Sequence, residues 1–399
     1  MDPSVAPARL SAARRGVSML FIANAVVFAT IVTRYPEVKE RFDLGELTFG
    51  VMVACGPVGA VLGSVAAGRL VNRLSAVPVA VMSSLLLGAL LVAAGFASEA
   101  VAFGAILFTL GFVDATGDVG NNAHGLAIQR LVGRSIINGL HGAWSAGAIA
   151  GAALGALALQ LGIPISIHLG VTGAAIVVGS LVALPLVRLR TAPSLPPRPG
   201  HPRRSSPVTA MLVTACALAV IGAFLEDLGS TWGGVYAVAE TGARVADAAI
   251  PFAVLMGTLT LGRFAADALV DRIGVVSTIR AGSVVALFGL LIAVLAPETW
   301  VVAVGLGLLG VGIAPMIPLA MDAAERAPGV TAGTGLAIAA TVMRLGFLAS
   351  PLLVGAIAEW TGLRVALALC LVVPVTAFAI AGRLHHPPPR TTPDAVGAD

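Results

Sequence analysis

The hexapeptide LVNRLS at residues 70–75 has a near copy, LVDRIG, at residues 269–274. Each copy directly follows a long apolar run, and the offset between the copies is 199 residues. The same offset relates Leu110-Gly111 to Leu309-Gly310. Because the chain has 399 residues, this repeat predicts two halves that share one architecture.

The composition predicts an integral membrane protein. The chain is 58% hydrophobic and 11% charged, whereas a soluble domain carries roughly 25% charged residues. Apolar runs near the spanning length of about 20 residues occur twelve times. Since a backbone in lipid must satisfy its own hydrogen bonds, every run should be a helix. The predicted spans are 16–34, 46–70, 77–97, 100–127, 137–158, 164–187, 208–234, 246–269, 277–296, 300–321, 332–357 and 363–382.

The arginines indicate how the helices are oriented. They cluster beside the ends of apolar runs and fall on alternate loops, as at Arg69 and Arg73. By the positive-inside rule, both termini are expected in the cytoplasm. The net charge of +4 is therefore interpreted as a topology signal, and no nucleic-acid partner is expected. The first run lacks a small-residue cleavage site, so we expect a retained helix and not a secretory signal.

One basic, proline-rich stretch separates six spans from six. It covers residues 188–207 and is interpreted as a cytoplasmic tether and not as a binding tail. The predicted domains are an N-terminal six-helix bundle at 1–187, this linker, and a C-terminal bundle with a short cytoplasmic tail at 208–399. The predicted fold class is an all-α membrane protein whose 12 transmembrane helices form two pseudo-symmetric six-helix bundles.

No motif indicates a cofactor, a metal site or catalysis. Cys55, Cys216 and Cys370 stand alone in apolar runs, which supports neither a disulfide framework nor a zinc site. The string GLGLLG at 305–310 has dinucleotide-binding spacing, but it lies inside an apolar helix without the strand that this function requires. With no P-loop and no nucleophile motif, we expect a protein that is not an enzyme.

The chain resembles the major facilitator superfamily along nearly its whole length. The stretches 68–73 and 262–274 are similar to that superfamily's signature loop after its second helix and to the copy of the loop in its second half. The first stretch departs from the pattern at Asn72, where an acid is usual, and at Ser75, where glycine is usual. The resemblance implies the two-bundle fold and a transport role without a named substrate.

A narrower resemblance is to a bacterial subgroup that includes the inner-membrane protein YbjJ. It rests on Arg34-Tyr35-Pro36, Asp118-Val119-x-x-Asn122, His141-Gly142-x-Trp144-Ser145, and Glu226 followed by Trp232. Arg344 departs from this pattern, in which an aromatic residue is expected. The resemblance implies a multi-pass protein of the bacterial inner (plasma) membrane.

The fourth span carries the densest polar residues. Asp114, Asp118 and Asn122 are spaced by four residues and form a stripe about 12 Å long, with Asn121 beside it. Carboxylates at this depth are costly, so they must face protein or water. Two interpretations are open: the carboxylates hold neighbouring helices together, or they form a substrate or proton site. Asp114 lies nearer the membrane midplane than Asp118.

Two other spans of the first half contribute candidate binding residues. In the fifth span, His141 and Trp144 share one helix face with Ser145. His141 is expected either to contact a ligand or to serve as a hydrogen-bonded packing residue. Asn24, near the middle of the first span, is a further candidate for the wall of a cavity.

The second half supplies a basic and an acidic candidate. Arg344, midway along the eleventh span, needs a partner, for which Asp114, Glu226 and an anionic substrate are the candidates. A static ion pair and a pair remade during transport are both open. In the seventh span, Glu226 and Asp227 are not expected to face the cavity together, and the subgroup resemblance implies that Glu226 is the one that does. A carboxyl in a dry site favours its neutral form, so Glu226 and Asp114 are candidate proton carriers.

Trp232 and a set of basic and proline residues have other predicted roles. Trp232 is expected to be either a stacking platform or an anchor at the membrane interface. Pro315 and Pro318 should kink or break the tenth span. The candidate gating residues are Arg34, Arg69, Arg73, Arg263, Asp271, Arg272, Pro315 and Pro318.

These patterns predict a secondary active transporter that moves a small polar solute by alternating access. The expected partners are the solute, a coupling proton and the lipid bilayer, and the protein is expected to act as a monomer. An exporter of drugs or metabolites is an alternative. A membrane receptor or scaffold that binds without moving a solute is another, and it predicts a single stable conformation.

Overall fold

The computed structural model describes residues 7–132, 136–187, 210–330 and 334–384. The predicted linker 188–207 and most of the predicted C-terminal tail lie outside the described residues. The described residues form helices and no strands. Twelve helices are long and apolar enough to cross a membrane: α1 (Ala8–Val32), α2 (Glu46–Leu74), α3 (Ala76–Gly95), α4 (Ala100–Val132), α5 (Gly139–Gln160), α6 (Ile165–Val187), α7 (Ala210–Thr241), α8 (Val245–Ala266), α9 (Val275–Leu295), α10 (Thr299–Glu325), α11 (Thr334–Thr361) and α12 (Leu363–Leu384).

All twelve predicted spans are confirmed, and the ends differ most in two of them. Helix α1 begins at Ala8 and not at residue 16, and α7 continues to Thr241 and not to residue 234. Both extensions contain polar residues, which favour helix about as well as apolar ones do. Hydropathy marks the part of a helix that suits lipid, so it misses turns that continue into the polar surroundings.

The backbone repeats between the halves at the two hexapeptide copies. Ser75, between α2 and α3, has φ 74° and ψ 160°, and Gly274, between α8 and α9, has φ 80° and ψ 163°. The two loops thus turn in the same way. This agreement confirms the predicted pseudo-symmetry of the six-helix bundles α1–α6 and α7–α12.

Three spans are interrupted: α12 breaks between Leu369 and Val372, and α7 and α10 are interrupted near their middle. Helix α7 contains a π-helical turn, Leu228–Trp232, between regular helices that end at Asp227 and begin at Gly233. Helix α10 breaks between Ile313 and Met316, at the turn that contains Pro315. The missing amide hydrogen of Pro315 explains the break in α10, as the sequence predicted.

The two halves touch closely at the end of the bundle where α1 ends and α2 begins, which we call the closed end. Gly50 of α2 packs on the carbonyl oxygen of Pro351 in α11, where a larger side chain would collide. The Glu359 Oε2 atom accepts a hydrogen bond of 3.1 Å from the amide of Leu47, at the beginning of α2. These contacts seal this end.

A second contact closes the same end between α5 and α8. The Nε2 atom of Gln160 donates to the Asp247 Oδ1 atom at 2.7 Å and to the Ala246 carbonyl oxygen at 3.1 Å. Every hydrogen bond between the halves among the described residues lies at this end.

The opposite end, where α2 ends and α3 begins, is called the open end. No hydrogen bond or ion pair among the described residues joins the halves there. The candidate gating residues Arg69, Arg73, Asp271 and Arg272 lie at this end and are exposed. In this conformation they form no ion pair among the described residues.

Candidate functional site

A cavity of 280 Å³ lies between the two halves, at mid-depth in the helices. Its walls combine polar side chains with aromatic and aliphatic ones. The lining residues used below are Asn24, Phe28, Asp114 and Trp144 from the N-terminal half and Glu226, Asp227, Arg344 and Phe347 from the C-terminal half. Five candidates from the sequence analysis, Asn24, Asp114, Trp144, Glu226 and Arg344, thus meet at one place.

The N-terminal wall is a chain of hydrogen bonds across three helices. The Nε1 atom of Trp144 in α5 donates to the Asn24 Oδ1 atom in α1 at 2.8 Å. The Nδ2 atom of Asn24 donates to the Asp114 Oδ1 atom in α4 at 2.5 Å. Since the indole can only donate, it fixes which way the Asn24 amide points. The amide in turn fixes the orientation of the Asp114 carboxyl group.

The C-terminal wall carries an ion pair that the sequence analysis did not predict. The Nη2 atom of Arg263 in α8 lies 2.9 Å from the Glu226 Oε2 atom in α7. Arg263 was predicted to be a gating residue of the signature loop, and Glu226 was a predicted partner of Arg344. The partner of Glu226 is corrected: in this conformation it is Arg263, within α8, and not Arg344. The gating role of Arg263 stays a prediction.

Asp227 also lines the cavity, so the expectation that only one of the two adjacent acids faces it is wrong. Neighbouring residues on an α-helix point about 100° apart. The cavity extends far enough around α7 to touch both side chains. The Thr231 Oγ1 atom donates to the Asp227 Oδ1 atom at 3.2 Å. The Ser350 side chain faces Asp227 from α11 but lies outside hydrogen-bond geometry.

Arg344 lines the cavity and is half-buried. No carboxylate among the described residues lies at ion-pair distance from its guanidinium group. It acts electrostatically on Asp114 and Asp118 over a longer distance. Of the two interpretations left open for Arg344, a static ion pair with Glu226 or Asp114 is not formed among the described residues in this conformation.

Four other candidates lie outside the lining of this cavity. Asp118 and Asn122 pair with each other, since the Asn122 Nδ2 atom donates to the Asp118 Oδ1 atom at 2.8 Å. Asn121 is buried, and its Oδ1 atom accepts no hydrogen bond from the described residues. His141 is exposed, and its ring meets the edge of Phe21 with centroids 5.4 Å apart. These side chains lie nearer the open end than Asp114.

Trp232 is a buried packing residue on the side of the cavity toward the closed end. It is fully buried and meets the Phe49 ring edge-on, with centroids 5.3 Å apart. In this conformation Trp232 does not line this cavity, and its indole is not exposed as that of an interfacial anchor would be. The π-helical turn that contains Trp232 rotates the residues that follow Asp227, which a regular helical pattern does not anticipate.

Arg34 is a structural anchor within the N-terminal half. Its Nε atom donates to the His168 Nδ1 atom at 3.1 Å, its Nη1 atom lies 2.5 Å from the Glu37 Oε2 atom, and its Nη2 atom donates to the Ile163 carbonyl oxygen at 3.0 Å. These partners all belong to one half. Arg34 therefore positions the turn before Tyr35 and Pro36, and it forms no hydrogen bond or ion pair between the halves among the described residues.

The proline pair in α10 is split by the break. Pro315 is buried and Pro318 is exposed, and neither lines this cavity. Pro36, by contrast, packs over Gly234 of α7 at the closed end. In the sequence, Pro36 stands out only as part of the Arg34-Tyr35-Pro36 motif. Nothing in the sequence indicates that it contacts the other half.

Of the eight lining residues named above, three were missed by the sequence analysis. Asp227 was set aside because Glu226 carries the motif resemblance. Phe28 lies one turn after Asn24, and Phe347 lies one turn after Arg344, so both occupy predicted polar faces. A residue one turn away from a polar candidate lies on the same helix face, and this rule would have indicated Phe28 and Phe347.

A polar cavity between two six-helix halves that are sealed at one end is the architecture of a membrane transport protein. Comparison with known families agrees, since the Major Facilitator Superfamily matches residues 17–328 and 216–398. The chain belongs to this superfamily, whose members are transporters and not enzymes.

Relatives and solved structures support the same assignment. The chain is 29% identical over 362 residues to the uncharacterized transporter y4wD of Sinorhizobium fredii, covering 89% of this chain and 94% of the relative. It superposes with a TM-score of 0.77 on a bacterial homologue of the human lysosomal transporter Spinster, at 14% identity, covering 95% of this chain and 97% of that one. For the nucleoside transporter NupG the TM-score is 0.72 at 13% identity, covering 94% of this chain and 98% of that one.

Proposed function

We propose that this protein is a secondary active transporter that moves a small polar solute across the bacterial inner membrane by alternating access. The observation that carries the proposal is the cavity, because charged side chains from both halves line it and one end of the bundle is sealed. A rocking movement of the halves would seal the other end and expose the same side chains to the opposite side. The protein would do this as a monomer.

The distribution of arginines supports an orientation for this movement. Arg69, Arg73 and Arg272 are exposed at the open end. Basic loops favour the cytoplasmic side of a membrane. The open end would then face the cytoplasm, and both chain termini would lie on that side.

We also propose that the transport is driven by protons and that Asp227 is the coupling group. Glu226 is neutralised by Arg263, and Asp114 is held by Asn24. Asp227 has no cationic partner at ion-pair distance among the described residues, and its Oδ2 atom accepts no hydrogen bond from them. An unpaired carboxylate at this depth is costly, so a proton on Asp227 would stabilise this conformation.

The groups around Asp227 are compatible with this role. Glu226 is its neighbour on α7, Ser350 faces it from α11, and Tyr35 faces it from the short helix Tyr35–Arg41 of the other half. Burial raises the pKa of the Tyr35 phenol, and the Asp227 carboxylate raises it further. Tyr35 therefore stays neutral and does not compensate the charge of Asp227.

Alternating access can be tested by spin-label distances on a variant without native cysteines. One label pair, on Glu40 and Trp360, would report on the closed end, and another, on Arg73 and Ile273, would report on the open end; all four side chains are exposed. We expect a second population in which the first distance is longer and the second is shorter. A single population in lipid at every pH, with and without a gradient, would support a receptor or scaffold and contradict the transport proposal.

Proton coupling can be tested on the same labelled protein by changing pH. We expect the balance between the two populations to shift with pH in the wild type and to lose this dependence in Asp227→Asn. Glu99→Gln is the matched control, because Glu99 is an exposed carboxylate between α3 and α4. Unchanged pH dependence in Asp227→Asn would overturn the assignment of the coupling group.

A further inference from the structure

Arg344 is the only cationic residue among the described residues that line the cavity, and no carboxylate lies at ion-pair distance from its guanidinium group. It lies half-buried on α11, at a depth where an unpaired charge is costly. Buried arginines generally have a hydrogen-bonded anionic partner. Among the described residues, Arg344 thus lacks an anionic partner on the side that faces the cavity.

The carboxylates of the cavity wall do not supply that anion. Glu226 already accepts from Arg263 at 2.9 Å, Asp114 accepts from Asn24 at 2.5 Å, and Asp227 lies beyond ion-pair distance from Arg344. Asp114 acts electrostatically on Arg344, but from beyond ion-pair distance. A group that bridges this gap would need an acceptor facing Arg344 and a donor facing Asp114.

The remaining walls limit the size and character of such a group. The volume of 280 Å³ is slightly below the roughly 300 to 1,000 Å³ of pockets that hold drug-sized ligands. Trp144, Phe28 and Phe347 give part of the lining an aromatic surface. The cavity therefore suits a compact molecule with one charged end and a short apolar body.

We propose that the transported solute is a small organic acid whose carboxylate binds Arg344, an inference that rests on the proposed transport function. The planar guanidinium fork matches the two oxygens of a carboxylate. A hydroxyl or amino group elsewhere on the solute would donate to Asp114. Arg344 is thus the residue that selects the charge of the solute.

The test is a binding measurement on the purified full-length protein with pairs of probes. Small aliphatic and aromatic carboxylic acids are each compared with the primary amide of the same acid, which has the same shape and no charge. Isothermal titration calorimetry should detect binding of acids and not of their amides. Arg344→Gln should weaken acid binding about tenfold or more, and Arg344→Lys should weaken it less, because the charge remains and the fork is lost.

Arg280→Gln is the matched control, because Arg280 stacks on Phe378 away from the cavity. It should leave acid binding unchanged. The inference is overturned if amides bind as well as acids, if no acid in the set binds, or if Arg344→Gln binds acids with unchanged affinity. The comparison of acids with amides needs only the wild type, so the test survives if the Arg344 variants fail to fold.

The outcome also separates this inference from the transport proposal. If a neutral or cationic solute shifts the spin-label populations, the transport function stands and the carboxylate assignment is wrong. If acids bind and the halves never change conformation, the ligand assignment stands and the transport function is wrong.

Discussion

The Nη2 atom of Arg263 lies 2.9 Å from the Glu226 Oε2 atom, and the pair joins α8 to α7 at the cavity wall. Because both residues belong to the C-terminal half, a rocking movement of the halves does not need to break this pair. Arg344, on α11 of the same half, has no such partner among the described residues. The cavity lining thus combines a carboxylate that is neutralised from within its own half with a cation that is open to a ligand.

Removing both members of the Glu226–Arg263 pair should destabilise the protein by less than the sum of the two single removals. Glu226→Gln leaves the guanidinium without its partner, and Arg263→Gln does the same to the carboxylate, each at a cost of about 1 to 3 kcal/mol. The double variant removes both charges, so its loss should be smaller than the sum of the single losses. Unfolding temperatures of the four proteins in detergent measure this coupling. Additive losses would show that the pair contributes no coupling energy.

Trp144→Phe should loosen the N-terminal wall of the cavity. The ring remains, but the hydrogen bond to the Asn24 Oδ1 atom is lost and a partly buried acceptor is left without its donor, at a cost of about 1 kcal/mol. Trp300→Phe is the control, because Trp300 is exposed and donates only to Glu298 at the surface. We expect a lower unfolding temperature for the first variant and no change for the second. Equal effects would mean that the Trp144 hydrogen bond adds no stability.

Gly50→Ala should open the closed end. A Cβ atom at Gly50 would collide with the Pro351 carbonyl oxygen, so α2 and α11 must move apart. Gly68→Ala is the control in the same helix, because a Cβ atom there meets nothing within 4 Å. Spin labels on Glu40 and Trp360 should report a longer distance in Gly50→Ala and the wild-type distance in Gly68→Ala. An unchanged distance in Gly50→Ala would show that this contact does not hold the closed end together.

Ser75→Gly should stabilise the protein, and Gly274→Ser should destabilise it. Both positions adopt positive φ with extended ψ, a conformation that is essentially restricted to glycine and costs other residues on the order of 1 to 3 kcal/mol. The strain at Ser75 outweighs the extra chain entropy that glycine loses on folding, about 0.5 to 1 kcal/mol. Unfolding temperatures should rise for the first variant and fall for the second. A fall for Ser75→Gly would mean that the loop relaxes without strain.

Helix positions and candidate cavity residues were predictable because the membrane constrains both. A backbone in lipid must form helices, so apolar runs mark the spans, and a charge at mid-depth must turn away from lipid. Asn24, Asp114 and Arg344 were found by this argument, and each lines the cavity. Their functional roles stay predictions.

The pairing of these side chains was not predictable. Periodicity gives the face of a helix, but the rotation of each helix against its neighbours decides which residues meet. Arg263 therefore reaches Glu226, a contact that neither motif indicates. The π-helical turn in α7 adds a second source of error, since it changes the direction in which the Trp232 side chain leaves the helix axis.

The sequence by itself determined the membrane setting, the twelve helices, their two-fold repeat and the break at Pro315, because each follows from local hydropathy, a repeated motif or the chemistry of one residue. Tertiary structure alone decided that one end is sealed and that, among the described residues, Glu226 has an ion-pair partner while Arg344 has none. Those features depend on distances between helices that are far apart in the chain, and close approach is set by packing at positions such as Gly50 and Pro351.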